Sequence, residues 1–429
     1  MFNEIYKHTK YFVEECGKRT AGTEAVKKAS DYIVDYYKKN GIKTEIHEFN
    51  VPVCEIEKSQ LKFKTTEGWI ETEHTAALFS RATPDGGITL PLVYAENGSI
   101  ANLKDADVKG KAVLICRDVY MEYPDINMYK RLHEFGAAAV IYTTNDGHWD
   151  VPYVYANFET MDEEYTIPTA VIHYRTALKL LNNDVSEVFM DIKFNVEMKR
   201  SVNTIGVIEG RSKADENIVV CAHLDSAHGS TGATDDVAGV ATFMELAKYY
   251  QQQAKAGNPP EKTIRFIAWS GHECGLHGSK YYLLDNPEIR NSVKFVFNYD
   301  VVGNTLCNYS AIGAAAPEVE AKLNEITEEL ELDWPMVMAP MVVDALNFAA
   351  MDIPHITLTS GSYGGNHTVN DSMKLISPSA FRNPVKFSKA IIEWASGNTE
   401  IKQGYPQELT EALKTTAEMY GWGLFGKID

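Results

Sequence analysis

The feature that most constrains the fold is a series of apolar segments after residue 200 that alternate with helical patterns. The segments NIVVCAHLD, TIRFIAWS, KFVFNYD and IPHITLTS are almost continuously apolar, and stretches such as VAGVATFMELAKYYQQQ and AFRNPVKFSKAIIEWA have helical spacing. Strands that are apolar on both faces belong to sheets covered by helices on both sides. The pattern therefore predicts an α/β fold, with a mixed, mostly parallel sheet sandwiched by helices.

The sequence divides into regions that differ in their pattern of apolar and turn-forming residues. At 429 residues it is too long for one ordinary core, so we expect two domains. Residues 22–40 have helical spacing with Gly41 as a stop, and the strand pattern that follows continues the same unit. Between residues 54 and 196, short β-like runs are broken by Gly, Pro, Asn and Asp. We therefore predict a discontinuous domain of residues 1–53 and 197–429, interrupted by an insertion over 54–196.

The net charge limits the classes of binding partner, and the cysteine content bears on the cellular location. The formal net charge of −18 argues against nucleic acid or an anionic membrane as partner. No stretch reaches the roughly 18 apolar residues of a membrane span. Six cysteines are scattered without a C-x-x-C pair, which favours reduced, buried thiols. With no apolar signal segment at the N-terminus, we expect a cytoplasmic location, with secretion as the alternative.

Polar side chains follow each apolar segment, at the ends where open α/β sheets bind their ligands. They are His223, Asp225, Asp235, Asp236, His272, Glu273, Asp300 and His367. Each signal alone is weak, because an Asp after a strand is commonly a helix N-cap or turn former. Two histidines and three carboxylates together are what a pair of zinc ions binds, and one carboxylate can bridge both ions.

His223 and Asp225 lie two positions apart on a strand and therefore point the same way. A metal-bound histidine usually donates its other N–H to a carboxylate. We therefore expect Asp225 to orient His223, with a simple turn-forming role as the alternative.

Several segments together carry a resemblance to a known family. They are KRTAGTEAVKKASDYIVDYYKKNGIKTEIHEF, NTIGVIEG, HLDS, GATDDVAGV, HECGLHGS, NYDVVG and NHTVNDS. In their order and spacing the chain resembles metallopeptidase family 28, the di-zinc aminopeptidases with a bacterial leucyl aminopeptidase-like, phosphorylase/hydrolase-like fold. The segments DVKGKAVLICRD and EFGAAAVIY are similar to a protease-associated (PA) domain, a β-rich insertion that flanks the substrate entrance in many members.

The resemblance implies a role for each residue. His223 would bind one zinc ion and His367 the other, with Asp235 bridging them. Glu273 and Asp300 would complete the two coordination spheres, Asp225 would orient His223, and the Asp235–Asp236 peptide is often cis. Cobalt and manganese are alternative ions, because sites of oxygen and nitrogen ligands select weakly.

The chain departs from the family at the residue most tied to turnover. Members usually carry Glu-Glu where this chain has His272-Glu273, and the first Glu is the general base that moves a proton from water to the leaving amine. An imidazole with a pKa of about 6.5 suits proton transfer near neutrality. Two nearby cations, however, make its protonated form costly, so we expect slower turnover or a different substrate or pH optimum.

Three interpretations of His272 stay open. It is the active base, or it binds and polarises the substrate while another group such as His228 moves protons, or the site binds metal and hydrolyses little. A second departure is Asn366, where many relatives have a tyrosine that holds the developing oxyanion. Tyr363 and the Asn366 amide are the alternative donors.

The leading functional hypothesis is a zinc-dependent exopeptidase that removes N-terminal residues from peptides. The alternatives are an amidohydrolase acting on a small or non-standard amide, and a metal-binding homologue with weak or no peptidase activity. Neither the substrate side-chain preference nor the oligomeric state is readable, although the loop over 344–348 is a candidate part of the pocket.

Overall fold

The computed structural model describes residues 1–117, 126–144, 150–154, 165–183, 185–361, 364–420 and 424–425. The strands are β1 Lys43–Thr65, β2 Gly68–Glu71, β3 His74–Ala76, β4 Ile88–Tyr94, β5 Ala112–Arg117, β6 Ala139–Thr144, β7 Thr169–Ile172, β8 Glu187–Ile208, β9 Lys213–His223, β10 Lys262–Trp269, β11 Val293–Tyr299, β12 Ser310–Ala314, β13 Met336–Met338 and β14 His355–Thr359.

The helices surround this sheet on both faces. They are α1 Phe2–Tyr11, α2 Glu24–Asn40, α3 Ile100–Asp105, α4 Ile126–Glu134, α5 Tyr174–Leu181, α6 Ala238–Lys255, α7 His277–Asp285, α8 Pro287–Ser292, α9 Pro317–Glu329, α10 Ala345–Ala349, α11 Arg382–Ser396 and α12 Gln407–Tyr420. A short π-helical turn spans Phe12–Cys16, whereas Ala233–Val237 form a turn in which Asp235 and Asp236 have non-helical dihedral angles.

The sheet is mixed, with parallel strands at its centre. Its strand order is β13-β12-β14-β11-β9-β10-β8-β4-β5-β6-β7-β3. β9 pairs in parallel with both β10 and β11, and β11 pairs in parallel with β14. β8 and β12 close this block with antiparallel pairings to β10 and β14. The predicted fold class, a mixed and mostly parallel sheet between helices, is confirmed.

Alternate residues of β9 enter two separate cores. Ile218 and Val220 are fully buried in the cluster that includes apolar residues of α6 and α11. Val219 and Cys221 are fully buried in the opposite cluster with Trp269. Burial on both faces explains why the strand sequence is apolar without alternation. The same burial fixes the carboxyl ends of the central strands, which carry the polar residues.

Two long strands run through the predicted domain boundaries. β1 and β8 form an antiparallel ribbon in which Val53 pairs with Glu197 and Cys54 with Val196. The ribbon continues on both sides of these pairs, so neither predicted boundary coincides with the end of an element. The sequence pattern did not indicate strands of 23 and 22 residues, because charged residues interrupt their alternation. The division at 53/54 and 196/197 stays a prediction.

No helix of the described residues is long and apolar enough to cross a membrane.

A buried arginine ties the N-terminal segment to the loops at the carboxyl end of β9. Arg19 is fully buried, and its guanidinium donates to the carbonyls of Phe12, Gly17, Leu224 and Gly232. Burial lowers its pKa to about 10, so it keeps its charge near neutral pH. These hydrogen bonds fix the loops on either side of the predicted site.

We predict that Arg19→Met lowers the free energy of unfolding by about 3 kcal/mol, because several buried carbonyls lose their donor. Denaturant unfolding measures the change. Arg200→Met is the matched control, since this exposed arginine pairs with exposed Glu48 across the ribbon and its loss should matter little. Equal stability of the two variants would contradict a structural role for Arg19.

Candidate metal centre

The predicted site residues converge at the carboxyl end of the central strands. His223 ends β9, Asp300 follows β11, and His367 lies in the segment after β14. His272 and Glu273 lie in the turn after β10, and Asp235 lies in the turn before α6. All six side chains are buried, with exposures between 1% for His223 and 9% for His272. Adjacent parallel strands thus bring together residues that are far apart in sequence.

Asp235 lies between the two predicted histidine ligands. Its Oδ1 is 2.8 Å from Nε2 of His223, and its Oδ2 is 3.3 Å from Nε2 of His367. Each carboxylate oxygen therefore faces a different imidazole. This is the arrangement expected of a carboxylate shared by two metal positions. The Asp235–Asp236 peptide is cis.

Each histidine has a second acidic neighbour or a ring partner. Nε2 of His367 is 3.4 Å from Oε2 of Glu273, and the imidazoles of His223 and His272 are stacked with centroids 3.9 Å apart. The potential ligand atoms of His223, Asp235 and Glu273 lie within 4.8 Å of one another, as do those of His223, His272 and Asp300. Two overlapping groups of three ligands therefore share His223.

The electrostatics of these groups fit a bound cation. Burial raises the pKa of Glu273 to about 7 and that of Asp300 to about 6, and neighbouring Asp235 adds to both shifts. Burial opposes ionisation of Asp235, but the hydrogen bonds from His223 and His367 outweigh it and lower its pKa. Both carboxylate oxygens of Glu273 are buried and accept no hydrogen bond from any described residue. Buried carboxylate oxygens without a donor, beside imidazoles, are a donor set that zinc binds.

Asp225 differs from its predicted role. Nδ1 of His223 is 3.0 Å from the backbone carbonyl of Asp225 and 3.9 Å from its carboxylate, so the carbonyl is the acceptor. The carboxylate instead accepts the backbone N–H groups of His272 and Glu273, each at 3.2 Å. The strand ends at His223, so the alternation assumed for the pair does not extend to Asp225. Residue 225 still orients His223, through its backbone, while its side chain fixes the turn after β10.

His272 has a carboxylate near each of its two ring nitrogens, and one of the two contacts is a hydrogen bond. Its Nδ1 is 2.9 Å from Oδ2 of Asp344, and its Nε2 is 3.7 Å from Oδ2 of Asp300. Burial and neighbouring His223 lower the pKa of His272, but Asp344 and Asp300 outweigh them and raise it. The sequence analysis placed Asp344 in a candidate pocket loop, whereas the structure buries it beneath His272.

Asp371 is a second residue whose role the sequence analysis missed. It accepts the backbone N–H of Thr234 at 2.9 Å and that of Asp235 at 3.1 Å, as well as the Thr234 hydroxyl at 2.9 Å. Asp371 lies four residues after His367, in a segment already noted for its histidine. Its carboxylate thereby fixes the turn that presents Asp235.

Three further residues were considered for binding the oxyanion or for proton transfer. Asn366 is buried and its Oδ1 has no hydrogen-bond partner among the described residues. Tyr363 lies outside the described residues. His228 packs edge-to-face against Tyr153 with ring centroids 5.5 Å apart, and the Tyr153 N–H donates to the carbonyl of His367 at 2.9 Å.

We predict that Asp371→Asn weakens zinc binding about 10–100-fold, because one of the oxygens that fix the Thr234–Asp235 turn is replaced by a donor. Competition with a chromogenic chelator measures the affinity. Asp191→Asn is the matched control, because Asp191 is also buried but pairs with Lys58 on the β1–β8 ribbon. An affinity unchanged by Asp371→Asn would contradict the positioning role.

Zinc binding should tighten as the pH rises from below the pKa of Asp300, about 6, to above that of Glu273, about 7. A proton must leave each carboxylate before it can bind the ion, so affinity rises by up to roughly tenfold per pH unit for each proton displaced. Because both pKa values are raised by folding, the stability these groups contribute to the zinc-free protein is present in acid and is lost as the pH rises through about 6 to 7. Calorimetry in buffers of different ionisation enthalpy counts the protons released. Zinc binding without proton release at pH 6 would contradict the assignment.

Comparison with known proteins finds family models that match two regions of the chain. The sequence model described as Peptidase family M28 matches residues 203–391, and the PA domain model matches residues 88–180. Aminopeptidase YwaD of Bacillus subtilis is 29% identical over 305 residues, covering 68% of this chain and 60% of YwaD. The probable lipoprotein aminopeptidase LpqL of Mycobacterium tuberculosis is 26% identical, covering 67% of this chain and 55% of LpqL. The matched region thus spans less than two thirds of either relative.

Solved structures show the same fold over nearly the whole chain. BSAP, a zinc aminopeptidase from Bacillus subtilis, superposes with a TM-score of 0.75 at 23% identity, covering 95% of this chain and 98% of BSAP. A Peptidase M28 precursor from Shewanella amazonensis superposes with a TM-score of 0.79 at 22% identity, covering 94% and 96%. The M28 match contains all six residues of the converging site, and the PA match lies within the predicted insertion. The chain therefore contains a peptidase family M28 region over residues 203–391 and a PA domain region over residues 88–180.

Proposed function

We propose that the protein is a zinc-dependent aminopeptidase that hydrolyses N-terminal peptide bonds with two zinc ions. The observation that carries the proposal is the position of Asp235, whose two oxygens face His223 and His367 separately. The names of YwaD, LpqL and BSAP support the reaction class. Cobalt or manganese in place of zinc would be compatible with the same ligands.

The residues of the site would have separate roles in binding the ions and in positioning the ligands. Bound zinc would polarise the scissile carbonyl and make water more acidic. His223 and Asp300 would hold one ion and Glu273 and His367 the other, with Asp235 between them. Asp225 and Asp371 hold the two turns that carry these ligands, so the ligands are positioned before the substrate arrives.

His272 takes the position of the general base. Its Nε2 faces the Asp300 side of the site, where a proton taken from water can be passed to the leaving amine. Substrate access would be limited by the PA domain, because Tyr153 of that domain contacts the His367 backbone and the loop with His228. We expect short or extended peptides as substrates.

The alternative functions find less support. A non-standard amide substrate or a loss of catalysis was motivated by His272 and Asn366. The five other predicted site residues are nevertheless present and converge, and the similar proteins YwaD and LpqL have aminopeptidase names. Carboxypeptidase Q of Xenopus laevis, 23% identical over 359 residues, adds a peptidase whose name points to the opposite end of the substrate.

The cytoplasmic location stays a prediction.

We predict hydrolysis of aminoacyl-nitroanilides by the zinc-loaded protein, loss of activity after chelation and recovery on adding zinc. Elemental analysis should give two zinc ions per chain. His272→Ala should lower kcat about 10²-fold or more, in the range of general-base contributions. His272→Glu, run in parallel, restores a carboxylate at this position.

The controls separate the candidate functions. An N-acetylated nitroanilide should resist hydrolysis, and a peptide with a blocked N-terminus and a free C-terminus tests the carboxypeptidase reaction. Activity of the His272→Glu variant alone would show that the natural protein has left ordinary peptide hydrolysis. Less than one zinc ion per chain after gentle purification would contradict the di-zinc site.

A further inference from the structure

We infer that Asp344 is a positioning residue for His272, and that the buried His272–Asp344 pair together replaces the glutamate base of the family. The inference rests on the proposed peptidase function for its catalytic part and on contacts alone for the pairing. Nδ1 of His272 and Oδ2 of Asp344 are 2.9 Å apart, although 72 positions separate the residues in sequence.

The local role that an aspartate commonly has at this position is absent. Asp344 stands at the N-cap of α10, yet its side chain makes no capping hydrogen bond. Instead Oδ1 accepts the hydroxyl of Ser279 in α7, and Oδ2 faces the imidazole. The carboxylate therefore joins two side chains from the segment after β10 and does not stabilise its own helix.

A relay of hydrogen bonds fixes the orientation of Asp344. Nδ2 of Asn347 donates to Oγ of Ser279 at 2.8 Å and to the carbonyl of Leu276 at 3.2 Å. Ser279 in turn donates to Asp344. These side chains are buried, with exposures of 1% or less. The carboxylate is thus held in one rotamer, with Oδ2 directed at His272.

The charges around Asp344 explain why its contact with His272 matters. Among the described residues no lysine or arginine forms an ion pair with Asp344, and His272 is its one potentially cationic partner. A buried carboxylate without a counter-charge is costly, so an N–H donor at this position is strongly favoured. The hydrogen bond places the proton on Nδ1 and leaves the lone pair on Nε2, which faces Asp300.

The pair has the same charges as the residue it replaces. A glutamate base goes from −1 to neutral when it accepts a proton. A neutral His272 with ionised Asp344 also starts at −1 and becomes neutral when Nε2 accepts a proton from water. The hydroxide that remains adds to the scissile carbonyl carbon, the proton passes from Nε2 to the leaving amine nitrogen as the peptide C–N bond breaks, and the imidazole returns to its neutral form. Asp344 thereby offsets the cost of an imidazolium near metal ions.

A double-mutant cycle tests the pairing. It compares wild type, Asp344→Asn, His272→Glu and the double variant, with Asp191→Asn as the control for loss of a buried aspartate elsewhere. In the natural background we expect Asp344→Asn to lower kcat about 10²-fold or more with little change in KM, because the amide can donate to Nδ1 and favour the wrong tautomer. In the His272→Glu background the same change should raise kcat and the thermal midpoint, because it removes one of two adjacent buried carboxylates.

The decisive result is that Asp344→Asn lowers kcat in the natural background and raises it in the His272→Glu background. A purely structural role for Asp344 would lower activity and stability in both backgrounds, and that outcome would overturn the inference. Asp191→Asn should shift the thermal midpoint equally in both.

A third readout requires no activity. In zinc-free protein with ¹⁵N-labelled histidine, at a pH high enough for the His272 ring to be neutral, NMR should show His272 protonated at Nδ1 in wild type and not in Asp344→Asn. An unchanged tautomer would overturn the pairing. If His272→Glu fails to fold, this NMR measurement alone decides whether Asp344 positions His272. If no variant hydrolyses any peptide while the tautomer and stability results hold, the proposed function fails and the pairing stands.

Discussion

The concentration of buried carboxylates around Asp235 is the constraint on which the rest of the structure depends. Asp235, Glu273 and Asp300 are brought within a few ångströms of two imidazoles, in a region shielded from water. Such a cluster is unfavourable without cations, as the raised pKa values of Glu273 and Asp300 show. Metal ions bound at this position would therefore also stabilise the site, and their binding would be coupled to folding.

The surrounding fold keeps these groups from moving apart. The parallel block of β9, β10, β11 and β14 is buried on both faces and fixes the strand ends. Polar side chains then hold the turns that follow: Arg19 ties the N-terminal segment to two of them, Asp225 holds the turn after β10, and Asp371 holds the turn that carries Asp235. Each of these contacts joins segments distant in sequence, so the site is assembled only when the domain is folded.

Much of the fold and the identity of the converging residues could be predicted from sequence, because both follow from local patterns. Apolar runs such as that ending at His223 mark buried strands, and the polar residue after each run marks the functional edge. The partners of those residues could not be predicted. Nothing near Asp344 or Asp371 indicates which backbone or ring it contacts, because those contacts depend on tertiary packing across tens of residues. The carboxylate of Asp225 was assigned to the wrong partner for the same reason, since its neighbours in space come from the next strand.

Diffraction at the zinc absorption edge tests the central claim most directly. Crystals of the zinc-loaded protein should show two anomalous peaks per chain, about 3.5–4 Å apart, one on each side of the Asp235 carboxylate. His223 and Asp300 should border one peak, and Glu273 and His367 the other. A single peak, or two peaks that do not share Asp235, would contradict the account.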